Sequence, residues 1–179
     1  MEYYIIFEAD IGREESMALV TALNNARRKG AKHITILFSS SGGAIYYGFA
    51  LATIIRNFQV PIRIHAANDI SSIANIIYLS AKERTAESYA KFFLHSASTT
   101  GSFDIKGLKE QLSGLEVQNG RIAHYLSENS EMLSLEKATE LMEARKSMSA
   151  GEALAYNIVQ EVKQEQIPPG ALREDVIFL

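Results

Sequence analysis

A chain of 179 residues with 47% apolar content can bury a substantial core and reads as one domain. Its net charge of −3, with acids and bases interspersed, excludes a basic nucleic-acid footprint and a polybasic membrane patch. Cysteine is absent, which excludes disulfides and thiolate metal sites, and the four histidines (His33, His65, His95, His124) form no His-Glu-x-x-His pair that would hold zinc. No metal and no cofactor is expected. The opening MEYYIIFEAD has an acid at position 2 and lacks the basic n-region of a signal peptide. No apolar run approaches the roughly 20 residues of a membrane span, so a cytoplasmic location is expected, with no membrane or nucleic-acid partner.

Residues 3–7 read as a strand, β-branched and aromatic. A helix is predicted over 14–29 with Met17, Val20, Leu23 and Ala26 on one face, closed by Gly30 after three basic residues. Residues 34–38 form a buried-strand pattern that breaks on three serines and Gly42-Gly43. Apolar residues then resume at helical spacing (Ile45, Phe49, Ala52, Ile55) to about Arg56. Pro61 introduces a short strand over 62–66. This rhythm argues for right-handed crossovers and a largely parallel sheet.

A strand that ends in two glycines and feeds a helix brings unpaired N–H groups and a positive dipole end to a crevice. That suits a phosphate, or an oxyanion forming during acyl transfer. Next, Asn68 or Asp69 is expected to cap a helix reading ISSIANIIYLSA, apolar on nearly every side and therefore interior. Two serines at the start of a buried helix are an odd use of polar residues. KFFLH, residues 91–95, is a strand ending in a histidine. The plainer account of each feature is structural: a tight turn, hydroxyls that cap a helix, a histidine that closes a strand.

From Phe103 onward the chain turns helical. Leu108, Leu112, Leu115, Ile122 and Leu126 mark one face of a long helix that carries Gly107, Gly114 and Gly120. Glycine at up to about 1 kcal/mol each makes it weak by propensity, so it should gain stability by packing, for instance on another subunit. Ser134 is placed to cap LEKATELMEARK. Ser149 with Glu152 forms a capping box for a third helix ending at Tyr156-Asn157, where asparagine suits the left-handed position. The tail finishes on a candidate edge strand, DVIFL.

The order of these pieces resembles the proteolytic subunit of the Clp (caseinolytic) protease, within the Clp/crotonase fold superfamily. The family's Ser-Pro-Gly-Gly segment matches Ser40-Ser41-Gly42-Gly43. Its nucleophile motif, Gly-x-Ala-(Ala/Ser)-Ser-Met-(Gly/Ala), falls on Asn68-Asp69-Ile70-Ser71-Ser72-Ile73-Ala74. Its Arg-x-Ala and Arg-(apolar)3-His segment matches Arg84, Ala86, Lys91, Phe92, Phe93, Leu94 and His95. A late segment resembles Met148-Ser149-Ala150-Gly151-Glu152-Ala153, then Tyr156-Asn157-Ile158-Val159-Gln160. The resemblance spans roughly positions 3 to 160.

It implies an α/β fold of stacked ββα units with a largely parallel sheet. One domain, 1–179, would divide into a head (about 1–102 and 144–179) and a protruding helical handle (about 103–143) that interlocks subunits. It further implies a serine peptidase with Ser72 as nucleophile, His95 as base, and an oxyanion hole from the N–H groups of Gly42 or Gly43 and of Ile73. Peptides or unfolded proteins would be the substrate, and a homo-oligomeric ring the assembly. Three departures stand out. Arg145 occupies the position of the triad acid, leaving Glu143 as the candidate third member and Asp69, Asn75 and Asp104 as other conceivable partners. Asn68 replaces the motif glycine and Ile70 its alanine. The chain starts on its first strand without the family's axial segment, which argues against an AAA+ unfoldase partner. Two other readings follow from the same fold: a structural or regulatory ring subunit with little activity, and a crotonase-like acyl-CoA enzyme.

Overall fold

The computed structural model describes residues 1–178. The chain alternates strands and helices through its first half: β1 (Glu2–Glu8), α1 (Arg13–Arg28), β2 (His33–Ser40), α2 (Ile45–Arg56), β3 (Ile62–Ser71) and α3 (Ala74–Leu79). Two short strands, β4 (Glu83–Ala86) and β5 (Lys91–Phe93), precede a helical stretch of α4 (Ile105–Glu128) and α5 (Leu135–Glu143). The chain then returns to the sheet through β6 (Ser147–Ser149), α6 (Ala150–Ala155), β7 (Glu161–Val162) and β8 (Leu172–Ile177).

The sheet runs β6-β5-β3-β2-β1-β8, with β4 and β7 branching from β3. Among the described residues only β5 and β6 pair antiparallel; every other pair is parallel, as the strand–helix rhythm predicts. The tail expected as an edge strand is β8, parallel to β1. Alternate residues of the central strands face inward: Tyr3, Ile5 and Phe7 on β1, Ile34, Ile36 and Phe38 on β2, Ile62 and Ile64 on β3. Each such side chain contributes about 1.5–3 kcal/mol when fully buried. Phe7 and Phe38 stack across the pair at 5.2 Å.

The other face carries Thr35, Arg63 and His65. Arg63 donates to Glu165 at 2.9 Å, Thr35 at 3.0 Å and Glu2 at 3.2 Å, and His65, fully buried, contacts Thr85 and Glu87.

Several expectations shift. Strand β3 does not stop at residue 66 but continues through Ser71, and the helix expected from Ile70 shrinks to α3. The reason is a change of partner: Arg63–Ala66 pair with β4, while Asp69–Ser71 pair with β5. Asn68 and Asp69 are therefore strand residues rather than caps, and Asp69 pairs with Lys91 at 2.7 Å. The buried stripe of α1 is Ser16, Leu19, Ala22, Leu23 and Ala26; of the predicted face Leu23 and Ala26 are buried, Val20 is half-buried and Met17 is exposed. On α2 the buried residues are Gly48, Leu51, Ala52 and Ile55, with Ile45 and Phe49 half-buried.

Helix α4 buries only Ile122, Ala123 and Leu126; Ile105, Leu108, Leu112 and Val117, nearer its start, are exposed. Asp104 caps it, accepting from Gly107 N at 2.7 Å. Ser134 caps α5, and the Ser149–Glu152 capping box forms as expected. Asn157 takes the left-handed conformation (φ 56°).

Candidate active site

Between β2 and α2 the backbone adopts positive φ at Gly42 (103°) and Gly43 (146°). An added Cβ at Gly43 would lie 2.5 Å from Ile11 O, and one at Gly42 would lie 2.7 Å from Ser72 Cβ and 2.9 Å from Ser71 O. Only glycine fits such close approaches. The junction is stitched to the loop after β1: Ile11 N–H donates to Gly42 O (2.7 Å) and Ala44 N–H to Ile11 O (2.8 Å). The Gly42 N–H donates to Ser40 Oγ at 3.2 Å. Among the described residues the N–H of Gly43 has no protein acceptor, nor does that of Ile73.

Ser72 sits on the turn from β3 into α3 at φ 57°, a region costing a side chain such as serine about 1–2 kcal/mol. Helix α3 has Ile73 at its N-cap and no side-chain cap, so the serine hydroxyls do not serve its first turn. That removes the plainer account of Ser72. The residue's main chain is held instead: Ser72 N–H donates to Phe93 O (2.9 Å) and Ser72 O accepts from Asn75 N–H (3.1 Å).

His95 follows β5 by two residues, half-buried, with its ring stacked on Phe93 at 5.1 Å. Its Nδ1 lies 2.7 Å from Ser96 O. An Nδ1–H donor there leaves Nε2 as the basic nitrogen. No hydrogen bond joins His95 to Ser72 among the described residues.

The tertiary structure thus brings Gly42, Gly43, Ser72, Ile73 and the Phe93–His95 segment to one end of the sheet. Glu143 ends α5, exposed, and lines a cavity with Ser96 and Asn119; no hydrogen bond links it to His95 among the described residues. Arg145, at φ 51°, places its guanidinium over Phe93, 5.8 Å from the ring centre. The remaining candidates have other uses: Asp69 with Lys91, Asp104 capping α4, and Asn75 donating to main-chain carbonyls. Among the described residues no group of three or more acids or histidines converges as a metal site.

Two other matched segments serve the fold. Arg84 is buried and donates to Ala81 O, Asn157 O and Ile158 O at 2.9–3.0 Å, fastening β4 to the end of α6.

The sequence matches the Clp protease family over residues 1–166. This chain belongs to the Clp protease family. Among solved structures it is similar to a ClpP1 mutant from Listeria monocytogenes, with a TM-score of 0.82, 18% identity, and coverage of 91% of this chain and 92% of that one. That likeness places the chain in the ClpP fold. No helix among the described residues is long and apolar enough to cross a membrane. Two contacts escaped the sequence: the stacking of Arg145 on Phe93, and the pairing of Ile11 with Gly43. Neither has a local signal, since both join segments far apart in the chain.

Proposed function

We propose that this chain is a serine peptidase of the Clp type that cleaves peptides or unfolded protein segments through an acyl-enzyme on Ser72. The observation that carries the reading is the left-handed turn at Ser72, packed against Gly42 with its hydroxyl free of capping duty. A strained turn persists where its surroundings hold it, and an exposed nucleophile is a known use for one.

In this reading Ser72 Oγ attacks the scissile carbonyl as its proton passes to His95 Nε2. The new C–O bond leaves an oxyanion, which accepts from the N–H groups of Gly43 and Ile73. Gly42 contributes close approach rather than a donor, because its own N–H is occupied. Collapse breaks the C–N bond, and the imidazolium returns its proton to the leaving amine. Water, activated by His95, then releases the acyl group.

The carbonyl of Ser96 holds the imidazole tautomer in place of the family's carboxylate. A neutral carbonyl stabilises an imidazolium less than an ionised acid does, so turnover is expected below that of a complete triad. Glu143 is the alternative third member, and a Glu143→Ala variant with an unchanged pH–rate profile would exclude it. The exposed apolar residues at the start of α4 support self-association into a ring through that helix.

The deciding experiment is labelling with a fluorophosphonate probe. Wild type should label on Ser72, and Ser72→Ala should lose both label and peptide cleavage while remaining folded. Arg145 at the acid position favours a second reading, a ring subunit with little activity. Well-folded, oligomeric wild type that takes no label would establish that reading and refute the first.

A further inference from the structure

Asn75 lies within the first turn of α3 and is 1% exposed. Its Nδ2 stands 3.0 Å from Ser72 O, 3.0 Å from Phe93 O and 3.3 Å from Ile70 O. An amide nitrogen carries two protons, so the first two carbonyls take the main bonds and Ile70 O shares. Those carbonyls belong to three separate places: the end of β3, the Ser72 turn, and the last residue of β5, two before His95. The main chain closes the same circuit, with Ser72 N–H on Phe93 O and Asn75 N–H on Ser72 O.

The opposite end of the side chain is different. Asn75 Oδ1 is buried and has no hydrogen-bond partner among the described residues. A buried amide with an orphaned acceptor is unfavourable compared with an apolar residue of the same size. The other residues of α3 are apolar apart from the Tyr78 hydroxyl, which donates to Thr85 O, so packing alone would be served by leucine. The donors therefore account for its presence.

We infer that Asn75 is a positioning residue: its side-chain amide clamps the strained Ser72 turn to the strand end that carries His95, fixing the distance between nucleophile and base. It touches no substrate and acts through main-chain carbonyls. The proposal rests on the peptidase reading for its kinetic consequence, though its geometric content can be read without it.

The test compares Asn75→Ala, Asn75→Ser and Asn75→Asp in the full chain. Asp has the same shape but turns an acceptor toward three carbonyl oxygens; Ser keeps one donor on a shorter arm. Hydrogen exchange of the Ser72 amide should speed about tenfold or more in Asn75→Ala, with the amides of β1 and β2 unchanged. The rate of fluorophosphonate labelling per folded molecule should fall about 10- to 100-fold, as a displacement of roughly 1 Å between reacting groups would produce. In peptide cleavage the loss should fall on kcat with KM unchanged, in the order Ser, Ala, Asp from mildest to most severe. If Asn75→Ala does not fold, the Ser variant carries the measurement.

A labelling rate per titrated Ser72 equal to wild type, with only the yield of folded protein reduced, would overturn the clamp. So would unchanged exchange at Ser72. If wild type itself takes no label, the peptidase reading fails separately, and the exchange measurement alone decides the clamp.

Discussion

Replacing Gly42 by alanine should damage the site far more than the same change at Gly30, although both glycines have positive φ. Gly30 ends α1 at φ 81° with nothing within 4 Å of an added Cβ. There the change carries only the backbone penalty of about 1–2 kcal/mol, partly offset by the 0.4–1 kcal/mol that alanine gains by stiffening the unfolded chain. At Gly42 the same terms apply and a clash is added. The new Cβ would sit 2.7 Å from Ser72 Cβ and 2.9 Å from Ser71 O, where carbon contacts are comfortable at about 3.5–4.0 Å. Neither neighbour is the far end of a flexible side chain, so the backbone of the Ser72 turn must move. Overpacking of this kind costs about 1–3 kcal/mol, which puts Gly42→Ala at about 2–4 kcal/mol against about 1 for Gly30→Ala. The chain should still fold, since domains of this class have about 5–15 kcal/mol in hand. Urea denaturation measures the difference, and probe labelling of the folded fraction measures the displacement of Ser72. Gly42→Ala should label about a hundredfold more slowly, and Gly30→Ala at the wild-type rate. Equal destabilisation with labelling intact in both would refute the contact between Gly42 and Ser72, and with it the assembly of the site.

Arg145→Asp puts a carboxylate where the Clp motif carries its acid; the labelling rate should rise at least about tenfold, given that losing such an acid costs about four powers of ten in serine proteases. A fall or no change would mean that residue 145 does not address His95. Gly48→Ala should destabilise by about 1–3 kcal/mol, because its Cβ would clash with Ile73 Cγ1, and Ile73→Ala should relieve much of that in the double variant, measured by urea denaturation. Burial pushes the His65 imidazole below its ordinary value, against the pull of the Glu87 carboxylate. The folded state then binds fewer protons than the unfolded one, so stability is full above about pH 6.5 and is lost as pH falls below it. The slope should reach at most about 1.4 kcal/mol per pH unit, and His65→Gln should flatten it below about pH 6.5. Lys146 and Ser149 hold Glu152 down to about 2, and Ser149→Ala should cost about 1 kcal/mol at neutral pH by opening the capping box, checked by thermal unfolding.

Whatever depends on a few consecutive residues was legible in the chain itself. Ser134, the Ser149–Glu152 pair, Gly30 and Asn157 act on backbone groups within a helical turn, so their chemistry needs no distant partner. The parallel sheet was legible for a similar reason, because strand and helix periods repeat locally. The matched motifs around Gly42, Ser72 and His95 are likewise short local patterns, and the fold brings their segments to one end of the sheet.

Tertiary structure decided the rest. Whether residues 67–71 extend a strand or start a helix depends on β5, which arrives some 20 positions later. Which side of α1 is covered depends on α2 and the sheet, and Met17 loses to Leu19 and Ala22. The left-handed turn of Ser72, tied to Phe93 O, and the orphaned oxygen of Asn75 come from contacts between segments that the chain's own order keeps apart. Periodicity reports which residues avoid water, but only the docked elements determine which atoms they meet.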